Sequence, residues 1–197
     1  SGNNEQTEVS FLDLKEEMLK WGDEIKWYPD FMKTRYNNWV NGLKWDWCIS
    51  RQIPFGIPFP VWYCKNCDEI ILARKEDLPI DPLESKPSLK KCPNCGCEEF
   101  IPETDIMNTW ATSSLTPTII KDILKETKIY NKIKDKPLNI RRNGHDIITF
   151  WDFNTILKSY LHYNQKPWEE LFINGWMLSS DGKKMSKKLK NYPDPLV

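Results

Sequence analysis

Apolar residues at helical spacing predict two helices in the first part of the chain. The first would run from Ser10, a favourable N-cap, to Gly22, a favourable stop. Its apolar positions recur every three or four residues: Phe11, Leu14, Met18 and Trp21. A second helix is predicted over residues 30–41, where four apolar side chains are spaced as in a packing helix and Gly42 follows.

Strand-like runs alternate with a helix in the last third of the chain. Residues 138–142 and 171–176 are predicted strands, and residues 147–161 between them are a predicted helix. This order favours an α/β fold with a parallel sheet. Ligands bind at the carboxyl ends of such strands. The turn at Gly144 and the polar loop after Trp176 are therefore candidate elements of a binding site.

The middle of the chain has no long regular apolar period. Residues 57–63 predict one short strand, and residues 68–91 are rich in proline, lysine and acidic side chains. The prolines among them exclude a long helix or strand. We therefore predict an insertion over residues 58–101 that folds around a metal rather than around an apolar core.

The composition is that of a soluble globular protein. Of 197 residues, 40% are hydrophobic and 28% are charged, and 28 basic residues balance 28 acidic ones. A chain that gripped nucleic acid mainly through this segment would be basic. No apolar run approaches the length of about 18 residues that a membrane span needs, and no export signal is recognised. We expect a cytoplasmic protein without membrane contact.

Four of the six cysteines form two close pairs, Cys64 with Cys67 and Cys92 with Cys95. In a chain without an export signal, paired Cys-x-x-Cys motifs indicate metal binding rather than disulfides. Two such turns supply the four thiolates of a structural zinc site. Cys97 competes with Cys95 as the fourth ligand, although the spacing favours Cys95. Nothing supplies an open coordination position beside a base, so a catalytic zinc is not expected.

The sequence around one further cysteine and the two histidines predicts structural rather than catalytic roles for them. Cys48 follows Trp47 in an aromatic segment and is expected to be a buried thiol. His145 lies in the Gly144 turn, where a backbone-orienting role is favoured over that of a general base. His162 ends the predicted helix and is expected to be a surface or packing residue.

A lysine-rich segment after the last predicted strand is the most informative motif. Residues 183–188 read KKMSKK and follow a short Ser-Ser-Asp-Gly stretch. One interpretation is a solvated turn. The other is a phosphate-binding loop, in which lysines around a hydroxyl neutralise the charge that develops on a leaving pyrophosphate.

The lysine segment also carries a family resemblance. Lys184 to Lys187 resembles the "KMSKS" signature of class I aminoacyl-tRNA synthetases. Four further segments are similar to that class, in the same order: WDWCISRQ (45–52), PFPVWYC (58–64), ETDIMNTW (103–110) and GHDII (144–148). The resemblance covers roughly residues 11–195 and is greatest to the valyl branch, with the isoleucyl and leucyl branches as close competitors.

The resemblance implies a reaction and its participants. Valine would be activated with ATP, accompanied by magnesium, and then transferred to tRNA(Val). By motif position, Lys184 and Lys187 would be catalytic, stabilising the triphosphate in the transition state. The same resemblance assigns ATP or adenylate binding to a set of five residues: Asn143, Gly144, Asp146, Met185 and Ser186. It assigns the walls of the amino-acid pocket to Trp110 and Trp151, which would otherwise be interpreted as core residues.

The resemblance also implies a domain organisation. Residues 1–57 would be a helical segment that follows the family's editing domain, and residues 58–101 the zinc-ribbon or knuckle insertion. Residues 102–197 would be the second half of a Rossmann-like nucleotide-binding domain, with the signature loop at 184–188. The first nucleotide motif would lie in the remaining domains of the same polypeptide. We expect these 197 residues alone to be inactive, because half of the nucleotide site would be missing. We also expect the protein to be a monomer.

Three positions depart from the family pattern, and one different function class competes. Asn108 stands where the family usually has Asp, and Lys188 and Lys190 stand where the signature has Ser and Gly. These changes affect tuning rather than the activity class. The competing interpretation is a non-catalytic zinc-ribbon RNA-binding module, supported by the cysteine pairs and basic loops. The ordered signature segments argue against it, because a binding module needs no pyrophosphate loop.

Overall fold

The computed structural model describes residues 12–192, and its contacts divide the chain into two compact units. The first unit combines the residues up to Asp46 with those from Ser114 onward, and the second runs from Trp47 to Ser113. The predicted helix cap at Ser10 lies outside the described residues. The predicted insertion over residues 58–101 falls inside the second unit, and its exact bounds stay a prediction.

Short strands and helices alternate along the chain. The helices are α1 (Lys15–Asp23), α2 (Lys33–Gly42), α3 (Thr109–Ser113), α4 (Thr116–Ile123), α5 (Tyr130–Ile133) and α6 (Phe153–Tyr163). The strands are β1 (Lys26–Tyr28), β2 (Ser50–Arg51), β3 (Val61–Cys64), β4 (Ile70–Leu72), β5 (Phe100–Pro102), β6 (Ile106–Met107), β7 (Leu138–Gly144) and β8 (Trp168–Asn174). The 3-10 turns are Asp30–Met32, Lys75–Asp77 and His145–Ile147, and one π turn spans Ile148–Asp152.

The sheet of the first unit is parallel, as predicted. Its strand order is β1-β8-β7, and both pairings are parallel. β8 begins earlier than predicted, at Trp168, because its register pairs that residue with Leu138. It also ends earlier, at Asn174, so Trp176 lies in the loop beyond the strand. The turn after β7 and the loop after β8 therefore leave the same edge of the sheet.

The crossover between β7 and β8 is less regular than the predicted helix over 147–161. A 3-10 turn and a π turn come first, and α6 starts only at Phe153. α6 buries Phe153, Ile156 and Leu157, which supply an apolar face to the first unit's core. Asn164 ends the helix in the left-handed conformation, at φ 48°, which asparagine tolerates better than most residues.

Gly22 is not the helix stop that the sequence suggested, because α1 continues to Asp23. A Cβ at this glycine would lie 2.4 Å from the Tyr36 ring. The buried Tyr36 hydroxyl donates to the Met18 carbonyl at 2.8 Å, which pins α2 against α1. Gly22 is thus required for close helix packing rather than for helix termination.

The second unit is built from short antiparallel strands. β3 pairs with β4 on one side and β5 on the other, and β2 pairs separately with β6. The strand predicted over residues 57–63 starts only at Val61, after two prolines that have no N–H to donate. Trp62 and Ile71 are buried, but their strands are only three or four residues long. So small an apolar core is consistent with folding around a metal.

Candidate nucleotide site and cysteine cluster

The carboxyl ends of β7 and β8 bring two predicted site segments together. Gly144 is in register with Asn174, so the turn after β7 and the loop after β8 leave the sheet side by side. A Cβ on Gly144 would lie 2.6 Å from Asp146 Oδ1. Glycine therefore allows the Asp146 carboxylate to fold back against the backbone at the edge where a nucleotide is expected.

The lysine segment forms a hairpin-like loop rather than an open coil. Ser179 and Lys183 are joined by a backbone hydrogen bond of 2.9 Å, and the Gly182 N–H donates to the Ser179 carbonyl at 2.8 Å. Gly182 has φ +75°, which other residues adopt only with strain. Leu178 bridges Lys184 across the loop. The two arms place Lys184 close to the sheet.

The Asn191 side chain makes three hydrogen bonds that hold the lysine loop together. Its Oδ1 accepts the Ser186 N–H at 2.9 Å, and its Nδ2 donates to the Lys184 carbonyl at 3.2 Å and to Ser179 Oγ at 3.0 Å. Lys190, just before it, has φ 49° in the left-handed region. This explains why the signature has glycine there, and the lysine costs this chain some backbone strain.

Lys184 is the signature residue that contacts the turn. Its Nζ lies 4.0 Å from Asp146 Oδ2 and 3.8 Å from the ring centroid of Trp176. Met185 and Ser186 are half-buried, and Lys187 is exposed. The structure thus joins Gly144, Asp146 and Lys184 at one place, with Lys187 in the same loop.

Asn143 faces the interior of the first unit. Its buried Nδ2 donates to Asp152 Oδ2 at 2.9 Å and to the Gly144 carbonyl at 3.0 Å. Burial raises the pKa of Asp152 to about 7, against the opposing effects of the Asn143 hydrogen bond and the Arg141 charge. Asp152 was missed by sequence reasoning. A carboxylate between two buried aromatic residues, Trp151 and Phe153, was the available signal.

The two predicted pocket tryptophans lie in different units. Trp151 is buried, with its ring 5.2 Å from that of Trp168 and the Arg141 guanidinium 3.9 Å from its centroid. Trp110 is half-buried in α3. The Asn108 Oδ1 accepts the Trp110 N–H at 2.8 Å, as an aspartate would, so the departure at 108 preserves the start of this helix.

The four paired cysteines converge in the second unit. Their sulfur atoms all lie within 4.8 Å of one another, with 3.4 Å between Cys64 and Cys95 and 3.6 Å between Cys67 and Cys92. Four thiolates at Zn–S distances of about 2.3 Å have similar spacings. A hydrogen bond from the Cys97 backbone, followed by one from Asn66, lowers the pKa of the Cys95 thiol to about 6. The donor set and its spacing fit a tetrahedral metal.

The remaining cysteines do not join this cluster. Cys97 Sγ instead accepts the Glu99 N–H at 3.4 Å, which favours Cys95 as the fourth ligand. The expectation of a buried thiol at Cys48 is wrong. This residue is exposed, and its sulfur lies 3.3 Å from Ser50 Oγ. Most residues of this segment are exposed, Trp45 among them, so its aromatic content does not indicate burial.

The helices of residues 12–192 include none with the length and apolar character needed to cross a membrane.

A family model described as "tRNA synthetases class I (I, L, M and V)" matches residues 4–197. The chain therefore belongs to the class I tRNA synthetases. Within that class it is similar to proteins named Valine--tRNA ligase. It is 50% identical to the protein of Picrophilus torridus over 192 residues, which cover 98% of this chain and 24% of the relative. It is 50% identical to the protein of Thermoplasma volcanium over 186 residues, which cover 94% of this chain and 23% of that relative.

A solved structure supports the same class. The chain is 26% identical to a leucyl enzyme, Agrobacterium radiobacter K84 agnB2 LeuRS, determined as a ternary complex with tRNA and LeuAMS. The TM-score is 0.57, and the match covers 77% of this chain and 22% of that one. The predicted class and the similarity to its valyl branch are confirmed. The chain spans about a quarter of the length of the curated relatives it matches.

Proposed function

We propose that, in the full-length protein, this chain forms the second half of the catalytic core of a valine–tRNA ligase. The reaction would be ATP-dependent activation of valine, followed by transfer of valine to tRNA(Val). The observation that carries the proposal is that Asp146 and Lys184 lie together at the carboxyl edge of β7 and β8. The 50% sequence identity to a valine–tRNA ligase over 98% of this chain supports it. Valine-dependent exchange of pyrophosphate into ATP by the full-length protein tests it.

The lysine loop would act on the phosphate side of the reaction. A carboxylate oxygen of valine attacks the α-phosphorus, the bond from this phosphorus to the β-phosphate bridging oxygen breaks, and pyrophosphate leaves with the electron pair. Lys184 and Lys187 would stabilise the charge that grows on the leaving group. Magnesium bound with the ATP would share this charge. Met185 and Ser186 would line the loop between the two lysines.

The turn after β7 would bind the adenylate side. Asp146 carries a carboxylate suited to accept hydrogen bonds from ribose hydroxyls, and Gly144 permits a close backbone approach. Asn143 supports this turn through its hydrogen bonds to Asp152 and to the Gly144 carbonyl. A direct contact of Asn143 with the adenylate is part of the same proposal.

The cysteine cluster would hold one structural zinc ion. Cys64, Cys67, Cys92 and Cys95 would supply four thiolates, which leaves no open position for substrate. The ion would order the proline-rich residues between the two cysteine pairs. An RNA-binding zinc module is less well supported as the function, because the family match runs over residues 4–197 and is not confined to the cysteine region.

The valine pocket provides a test of the two tryptophans. In the full-length protein, Trp110→Ala and Trp151→Ala should each weaken valine activation by roughly 1–3 kcal/mol, because apolar contact with the branched side chain is lost. The measurement is kcat/KM for valine in pyrophosphate exchange. Trp151 is buried, so Trp151→Phe serves as a second variant that keeps an aromatic ring in the core. Normal valine activation in Trp110→Ala and both Trp151 variants would remove the pocket role.

A further inference from the structure

Trp176 lies between the two predicted nucleotide-binding segments. It lies two residues beyond the end of β8, at the carboxyl edge of the sheet, and 42% of its surface is exposed. The His145 ring lies 4.6 Å from its ring, with an angle of 40° between the planes. The Lys184 ammonium lies 3.8 Å from its ring centroid. One indole thus contacts the turn after β7 and the lysine loop at the same time.

The contact between Trp176 and Lys184 is a cation–π interaction. The ammonium sits well inside the distance of about 6 Å at which an indole face attracts a positive charge. The ion pair with Asp146 is long, at 4.0 Å, and both side chains are substantially exposed. A long exposed ion pair orders a flexible lysine poorly. The indole face therefore supplies the second, rigid restraint on the ammonium.

The tilted ring contact with His145 restrains Trp176 itself. His145 belongs to the 3-10 turn that carries Asp146, so the indole is held by the same turn that pairs with the lysine. The backbone on the other side is anchored by β8. Through the indole, the Lys184 ammonium is therefore linked to the turn that carries Asp146.

We propose that Trp176 is a positioning residue of the nucleotide site, whose indole holds the Lys184 ammonium beside Asp146 and joins the lysine loop to the turn after β7. The inference rests on the proposed function, because it acts through the lysine assigned to pyrophosphate stabilisation. A pre-placed ammonium meets the leaving group without first being ordered, which favours the transition state.

The test is a double-mutant cycle in the full-length protein, read as kcat and KM for ATP in valine-dependent pyrophosphate exchange. Trp176→Leu should lower kcat about fivefold, the scale of one cation–π contact. Trp176→Phe, which keeps an aromatic face, should stay within about twofold of the parent. In a Lys184→Ala background, Trp176→Leu should cause no further loss, because the group it positions is absent. Tyr163→Leu, an exposed aromatic outside the turn and the loop, is the matched control and should leave kcat unchanged.

The outcomes separate the inference from the proposed function. An equal fivefold loss in the presence and absence of Lys184 would show that Trp176 acts independently of the lysine, and would overturn the inference alone. A Lys184→Ala variant with normal exchange would overturn the proposed role of the lysine, and the inference with it. The thermal unfolding midpoint of each variant shows whether the fold is kept. Trp176→Met provides a second cycle if the leucine variant is destabilised, with the same loss expected only when Lys184 is present.

Discussion

Replacing Cys64 or Cys92 by serine should release a zinc ion from the protein and disorder residues 58–101. The parent should bind about one zinc per chain, because four thiolates converge within 4.8 Å. Structural zinc contributes about 10–16 kcal/mol to the folding of small zinc-finger peptides, far more than the short strands of the second unit supply. Metal analysis of reduced, chelator-free protein measures the zinc. Amide hydrogen exchange measures the loss of order.

Cys97→Ser is the matched control for the zinc prediction. It changes a neighbouring cysteine whose sulfur bonds to the Glu99 backbone, so zinc should be retained. Cys95→Ser should lose zinc as Cys64→Ser does. Parent protein free of zinc under reducing conditions would contradict the metal site. If Cys97→Ser loses zinc and Cys95→Ser retains it, the fourth ligand is Cys97 and not Cys95.

Lys187→Ala and Lys184→Ala should each slow valine-dependent pyrophosphate exchange by about 10²-fold or more in the full-length protein. Charge builds on pyrophosphate as its bond to the α-phosphorus breaks, so a lysine that contacts it favours the transition state over the ground state. The affinity for valine should barely change, because the loop acts on the phosphate side. Both quantities come from the dependence of the exchange rate on valine and ATP concentration.

Lys188→Ser is the control for the lysine prediction, since it restores the usual signature and removes a charge without touching the two assigned lysines. Its effect should be mild. Normal exchange in both alanine variants would reduce the loop to a solvated turn. A loss confined to the affinity for valine would show that the loop acts on the amino-acid side of the site and not on the phosphate side.

The parallel sheet was predictable because two strand-like segments have a helix-like segment between them, and this order favours a parallel pairing. β1 was not, because the three residues Lys26–Tyr28 are too short to show a period and gain their strand conformation by pairing with β8. The π turn Ile148–Asp152 was likewise hidden, since its apolar residues continue the pattern of α6. Boundaries set by pairing partners cannot be taken from local spacing.

The candidate site residues likewise divide into those that the sequence predicts and those that it does not. Lys184, Asp146 and the paired cysteines could be proposed as site residues because motifs fix residue types at short spacings. The contacts of Trp176 and Asn191 with the lysine loop could not be predicted, because they join segments that meet only in the folded unit. Gly22 was misinterpreted for the same reason, since the Tyr36 ring that requires it lies on the next helix.

The central claim is tested most directly by the amino-acid dependence of pyrophosphate exchange in the full-length protein. Valine, isoleucine, leucine and methionine should be compared as kcat/KM under identical ATP and magnesium concentrations. A pocket built for valine excludes the larger side chains by steric clash, so valine should exceed each of the other three by at least about 10²-fold. Exchange that isoleucine, leucine or methionine supports as well as valine or better would contradict the valyl assignment.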